Sequence, residues 1–227
     1  MRSTLPKVLH VAAGRPLLAW VVAAARAVPC DRIVIVHGHG AEQVRRAFAD
    51  ATDLEWVLQA DQRGTGHALA QVETLVAGAA NLLVWSGDVP LLRPATARLL
   101  LAEAARAWGA LAVAELDEPG SLGRVIAGSD GSLARVVEAR DATPEELRLR
   151  TINAGLYVLP APEVFGYLRR VRPHHAQGEI YLPDALNLAA ADGRRVRCVR
   201  LEDPAEAWGV NTPEELARVA ARLPQSS

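Results

Sequence analysis

Ile33-Val34-Ile35-Val36, closed by His37-Gly38-His39-Gly40, is the stretch on which the fold turns. Four β-branched apolar residues in a row show no alternation, so neither face of that strand is left for water, and the glycines stop it. A strand covered on both faces belongs in a parallel sheet flanked by helices. The neighbouring sequence agrees. Upstream, Pro16 suits a first helical turn, and Leu17, Val21, Ala24, Ala25 and Val28 line one helical face. Downstream, Ala41–Phe48 reads as a helix, Trp56–Leu58 as a strand, Ala68–Val76 as a helix, Leu82–Trp85 as a strand and Pro94–Ala107 as a helix. This alternation predicts a doubly wound α/β core. Its ligands would bind beyond the carboxyl ends of the strands, where Gly38, Gln59 and Gly87-Asp88 fall.

The second half is mixed. Leu111–Leu116 reads as a strand, and Gly123–Ile126 and Leu133–Val137 flank an Asp130-Gly131 turn, the signal of a hairpin. Asp141–Arg148 reads as a loop or short helix, Thr151–Leu159 as a strand, Pro162–Arg170 and Pro183–Ala191 as helices, and Val196–Leu201 as a strand. Thr212-Pro213-Glu214-Glu215 opens a last helix with a cap, a first-position proline and early acids. It runs to about Leu223. The expectation is one domain over residues 1–223, with a nucleotide-binding half (1–110), a second half (111–223) elaborating the same sheet, and a tail at 224–227.

The 227 residues carry 25 basic and 26 acidic side chains, a formal charge of -1, and half are hydrophobic. That composition excludes a mainly disordered chain and offers no bulk attraction to nucleic acid or an anionic membrane. No apolar run of about 20 residues stands out, nor a leader-like hydrophobic region, so a cytoplasmic protein is expected. Cys30 and Cys198 read as ordinary small hydrophobes. Every basic residue except Lys7 is an arginine.

Several residues could carry chemistry. Gly64-Thr65-Gly66 precedes a helix, where glycines permit close approach to a ligand and opening amides favour anions. Gln59 presents a paired donor and acceptor suited to the edge of a pyrimidine. Asp88, beyond a buried strand, can hold Mg²⁺ beside phosphates; a plain turn cap is the other reading. A lone lysine among arginines suits a compact point charge on phosphate. His174 and His175 are adjacent and cannot converge on one ligand from a helix, and His10 and His67 suit local hydrogen bonds.

The ordered motifs Leu5-Pro6-Lys7-Val8-Leu9-His10, Gln59-Ala60-Asp61-Gln62-Arg63-Gly64-Thr65-Gly66-His67-Ala68, Gly87-Asp88-Val89-Pro90-Leu91, Gly123-Arg124-Val125, Val137–Ala142, Asn153-Ala154-Gly155-Leu156-Tyr157, Ala176–Leu182 and Gly209-Val210-Asn211-Thr212 span nearly the whole chain. Together they resemble bacterial N-acetylglucosamine-1-phosphate uridyltransferases, the pyrophosphorylase part of a bifunctional enzyme that also acetylates glucosamine 1-phosphate. The resemblance implies a Rossmann-like mixed sheet of the nucleotide-diphospho-sugar transferase type. It implies transfer of uridylyl from UTP to N-acetylglucosamine 1-phosphate, giving UDP-N-acetylglucosamine and pyrophosphate, in the service of peptidoglycan and the cell envelope. By the same resemblance Gln59 reads uracil, Gly64 and Thr65 lie beside the nucleotide, and Lys7 meets the phosphates. Asp88 and Asn211 hold Mg²⁺, and Gly123, Glu138 and Asn153 bind the sugar. Lys7 and Asp88 are then the catalytic pair, and Asn211 also touches substrate.

Three departures qualify the expectation. The family's opening strand and glycine-rich phosphate segment do not precede Lys7, which suggests a start placed at an internal methionine; the chain as it stands is expected to be weakly stable and to turn over little. No hexapeptide repeat follows, so acetyltransferase activity is not expected. Ser86 stands in the substrate pocket where the family commonly has tyrosine. The alternatives are a related nucleotidyltransferase with another nucleotide or acceptor, of the molybdenum-cofactor type, and a non-catalytic UDP-sugar-binding remnant.

Overall fold

The computed structural model describes residues 5–173 and 178–225. His174 and His175 lie outside the described residues. A 3-10 turn over Lys7–Leu9 leads into a small hairpin, β1 (Val11–Ala12) against β2 (Arg15–Pro16). Its two-residue turn needs positive φ twice, which Ala13 (48°) and Gly14 (83°) supply. Helix α1 (Leu17–Arg26) buries Leu17, Leu18, Val21 and Val22. Strand β3 (Ile33–His37), α2 (Ala41–Ala47), β4 (Leu54–Leu58), α3 (Thr65–Ala70), β5 (Asn81–Trp85) and α4 (Pro94–Ala104) follow in the alternation anticipated. Helix α3 begins three residues earlier than the sequence pattern suggests and gives way to turns over residues 71–78. The cause lies across the chain: Ile180 O accepts from the amides of Gly66 (2.8 Å) and His67 (3.3 Å), stabilising an earlier helix start.

The second half supplies β6 (Gly109–Glu115), β7 (Arg124–Ala127), β8 (Leu133–Val137), α5 (Pro144–Leu147), β9 (Thr151–Pro160), α6 (Ala161–Arg170), α7 (Leu182–Ala191), β10 (Val196–Arg200) and α8 (Pro213–Ala220). The main sheet runs β10-β6-β9-β7-β8, with β5 also on β9. Strand β10 is parallel to β6, while β9 runs antiparallel to both β6 and β5, so the sheet is mixed. The buried centre is β6, whose residues 109–114 are all buried, and Leu111, Ile152, Leu156 and Leu159 are wholly enclosed. Removing such side chains from water is worth roughly 1.5–3 kcal/mol each.

Strands β3 and β4 depart from the expected continuous sheet. They pair in parallel with each other and form a separate two-stranded sheet. Val34 and Val36 still pack on the same core as Leu82 and Val84, while Ile33 and Ile35 turn to the core of Leu9, Leu18 and Val22. Both faces are therefore covered, as the apolar run requires. Ile33–Val36 nevertheless stay only half-buried, because among the described residues β3 has a strand partner on one edge alone.

Among the described residues no helix is long and apolar enough to cross a membrane. The cysteines differ in their surroundings. Cys30 is exposed, its thiol raised by partial burial and by Asp31, whereas deeper burial pushes the Cys198 thiol up to about 11. Since the thiolate is the reactive form, iodoacetamide at pH 8 is expected to label Cys30 and leave Cys198 largely intact. Peptide mass spectrometry checks this, and equal labelling would mean that β10 opens readily.

Candidate active site

Three segments meet at Lys7: its own 3-10 turn, the loop after β5 and the loop before α8. The 3-10 turn carrying Lys7 is closed by Leu9 N donating to Pro6 O at 2.9 Å. Asp88 lies three residues past β5. Asn211 precedes α8, where the anticipated capping box is formed: Thr212 Oγ1 accepts from Glu215 N, and Glu215 Oε2 accepts from Asn211 N (2.6 Å) and Thr212 N (3.0 Å). Lys7 Nζ donates to Asp88 Oδ2 at 2.5 Å and to Asn211 Oδ1 at 2.9 Å. The Asp88 and Asn211 loops are joined by Val210 N donating to Asp88 O at 3.1 Å. With side chains 40% and 26% exposed, the Lys7–Asp88 pair is worth about 0–1 kcal/mol to stability. A pair that weak can rearrange around phosphate at little cost.

Two oxygens around one cation also test the fit to a metal. The Lys7 ammonium holds a carboxylate oxygen and an amide oxygen, the hard donors that Mg²⁺ takes. Among the described residues no group of three or more His, Cys, Asp or Glu is placed to hold a metal. A cation held by Asp88 and Asn211 would therefore complete its shell with water and substrate phosphate, the usual habit of Mg²⁺.

Gly123, Glu138 and Asn153 lie around an irregularity in the sheet. Opposite β6 the register moves from Leu111↔Tyr157 to Val113↔Asn153, leaving extra residues on β9. Gly155 sits in this bulge with φ +75°, and a bulge of this kind re-aims side chains. Gly155 O accepts from Ser86 N (3.0 Å) and Ser86 Oγ (3.1 Å), and Gly155 N donates to Asn153 Oδ1 at 3.1 Å. The Asp88 loop and the Asn153 strand are thus one connected unit. Asn153 N donates to Gly123 O at 3.0 Å, and a methyl on Gly123 would lie 3.4 Å from Glu138 Oε1.

Gln59 follows β4, its amide donating to His37 O at 2.8 Å and its side-chain Nε2 to Gly64 O at 3.1 Å. Here contacts from the 178–182 segment bear on two residues read from the sequence. The amides of Gly66 and His67 at the start of α3 are engaged by Ile180 O, so they are not free for an anion. Thr65 Oγ1 likewise accepts from Leu182 N at 3.0 Å. A methyl at Gly64 would stand 2.6 Å from Ile180 O, so this glycine is required first of all by the 178–182 segment packed against it.

The comparisons with known proteins bear on this geometry. The family described as MobA-like NTP transferase domain matches residues 1–179. The chain belongs to that family. It is 44% identical over 221 residues to the bifunctional protein GlmU of Burkholderia multivorans, covering 96% of this chain and 48% of that protein. It is 43% identical over 219 residues to GlmU of Stenotrophomonas maltophilia, with the same coverage. The chain spans about half the length of the curated relatives it matches. Among solved structures, apo UDP-glucose pyrophosphorylase superposes with a TM-score of 0.75 at 18% identity, covering 96% of this chain and 90% of that one. HddC from Yersinia pseudotuberculosis, complexed with GMP-PN, gives 0.68 at 14% identity, with the same coverage. Likenesses this distant show the fold alone; with the family match, it is the mixed Rossmann-like sheet typical of nucleotide-diphospho-sugar transferases.

Within this NTP transferase domain, sequence reasoning passed over three features beside the site. Tyr157 Oη accepts from Asn153 Nδ2 at 2.6 Å, and burial above all, with the nearby Glu138 charge, holds its phenol well above the ordinary range. Arg140 stacks on Tyr181 at 4.8 Å and pairs with Glu179 at 3.2 Å, tying the Glu138 loop to the segment against Gly64. Buried Glu206 accepts from Arg93 N (2.9 Å), Arg93 Nε (2.8 Å) and Thr96 Oγ1 (2.6 Å). Tyr157 and Arg140 lie inside quoted motifs without a role of their own, and Glu206 shows only as an acid between Ala205 and Ala207.

Proposed function

We propose that this domain transfers uridylyl from UTP to N-acetylglucosamine 1-phosphate, releasing pyrophosphate and forming UDP-N-acetylglucosamine. The observation that carries the reading is the convergence of Asp88 Oδ2 and Asn211 Oδ1 on Lys7 Nζ. In a MobA-like NTP transferase domain similar to GlmU, one lysine, one carboxylate and one amide make a phosphate-handling set with no hydrolase-type nucleophile. A phosphate oxygen of the sugar attacks the α-phosphorus in line; the new P–O bond forms as the bond to the pyrophosphate oxygen breaks, and pyrophosphate leaves with those electrons.

No side chain needs to become covalently attached. Lys7 releases Asp88 to meet phosphate and offsets charge on the transferring group, and the rate comes from alignment and charge stabilisation. Asp88 and Asn211 would hold Mg²⁺, which supplies charge neutralisation between the phosphates. Gln59 faces the base, with Gly64 fixing its amide and Thr65 steadying the adjoining wall. Gly123, Glu138 and Asn153 receive the sugar, and Ser86 braces Asn153 through Gly155 in place of the bulkier tyrosine. On this reading the reaction is cytoplasmic, as the sequence leads one to expect, and its product is destined for the cell envelope.

HddC, of the same fold, is complexed with GMP-PN, so guanine nucleotide is the reading to exclude. Calorimetric titration with UTP and GTP in Mg²⁺ is expected to give at least tenfold tighter binding of UTP. Tighter GTP binding would move the domain to a guanylyl transfer.

A further inference from the structure

The amide of Gln59 is fixed in one orientation by its neighbours. Its Nε2 lies 3.1 Å from Gly64 O and 3.0 Å from His67 Nδ1. A carbonyl oxygen only accepts, so the atom beside Gly64 O must be the amide nitrogen. Its second hydrogen then points at His67 Nδ1, which must accept, placing the imidazole proton on Nε2. Both donors of Gln59 are thereby used. Its Oε1 has no protein partner among the described residues and is not among their sealed, unpaired polar atoms. The side chain read from sequence as a paired donor and acceptor thus presents an acceptor alone.

His67 has a competing neighbour. Gln71 Nε2 lies 3.2 Å from His67 Nε2 and 3.1 Å from His67 O. A neutral imidazole accepts at one nitrogen, so it cannot satisfy both amides. Gln59 is buried and Gln71 only half-buried, and an unpaired donor costs more at the buried position. The ring therefore serves Gln59, while Gln71 keeps the backbone carbonyl.

We propose that His67 is a specificity-determining positioning residue, locking the Gln59 amide so that the base pocket offers an acceptor to a ring N–H. This rests on the reading of Gln59 as the base-facing residue. Uracil carries N–H at N3 and is accepted; cytosine carries a lone pair there and is refused. Without an acceptor at residue 67 the second Gln59 hydrogen loses its partner, the amide is held by Gly64 O alone, and turning it to suit cytosine costs one hydrogen bond fewer.

The test is titration of the 227-residue protein with UTP and with CTP in Mg²⁺, for the wild type, His67→Leu and His67→Asn, with melting curves to establish folding. The wild type is expected to favour UTP. His67→Leu is expected to shrink that preference at least tenfold, mainly by gaining CTP, and His67→Asn, whose Oδ1 can stand in for Nδ1, to restore it. If the leucine variant does not fold, His67→Ala gives the same readout. A folded variant lacking the acceptor that keeps the wild-type preference overturns the role of His67. A wild type without preference for UTP over CTP overturns the base-facing role of Gln59 instead.

Discussion

Asp88→Asn is expected to slow uridylyl transfer about a thousandfold, equivalent to about 4 kcal/mol of transition-state stabilisation. Asparagine keeps the shape and one oxygen of the side chain but removes the negative charge that balances Lys7 and would balance a divalent cation. The fold should hardly register the change, because the ion pair it breaks is partly exposed and such pairs contribute little. Single-turnover rates beside melting curves separate the two effects. A loss below tenfold, with folding intact, would mean that the charge needed for transfer is supplied elsewhere.

Glu206→Ala is expected to act chiefly on stability. The carboxylate is 2% exposed and holds Arg93 and Thr96 at the start of α4, while its own turn leads within five residues to Asn211. Hydrogen bonds to a charged group are worth about 1.5–3 kcal/mol, so a loss of about 2–3 kcal/mol is predicted. For a domain of this size that lowers Tm by roughly 5–10 °C. Because Arg93 follows the Asp88 loop, the variant should also weaken Mg²⁺ binding even where it remains folded. Glu206→Gln, keeping the volume, should lose less stability. Unchanged melting of the alanine variant would show the contact network to be dispensable.

The legible parts of the fold were those written in local sequence. The apolar run at Ile33–Val36, the Asp130-Gly131 turn and the Thr212–Glu215 cap each carry their cause within a few residues, and each forms the element expected. Lys7 and Asp88 stand out by residue type and Asn211 through the family resemblance, and the structure brings them together from positions 81 and 204 residues apart. What stayed hidden depends on pairing between distant segments. That Ile180 occupies amides in the first turn of α3, that β9 bulges at Gly155, and that β3 and β4 stand apart from the main sheet are matters of register, which no single stretch encodes. Tyr157 falls within the Thr151–Leu159 strand, and only burial beside Asn153 sets it apart.

The most direct test of the account mixes excess protein with labelled UTP and follows pyrophosphate and UDP-N-acetylglucosamine through a single turnover. Product is expected only when N-acetylglucosamine 1-phosphate and Mg²⁺ are both present, with Lys7→Ala at least tenfold slower, a difference of about 1.4 kcal/mol. Folded protein that binds UTP yet forms no product, or forms it equally fast without Lys7, would contradict the assignment of this cluster as the site of transfer.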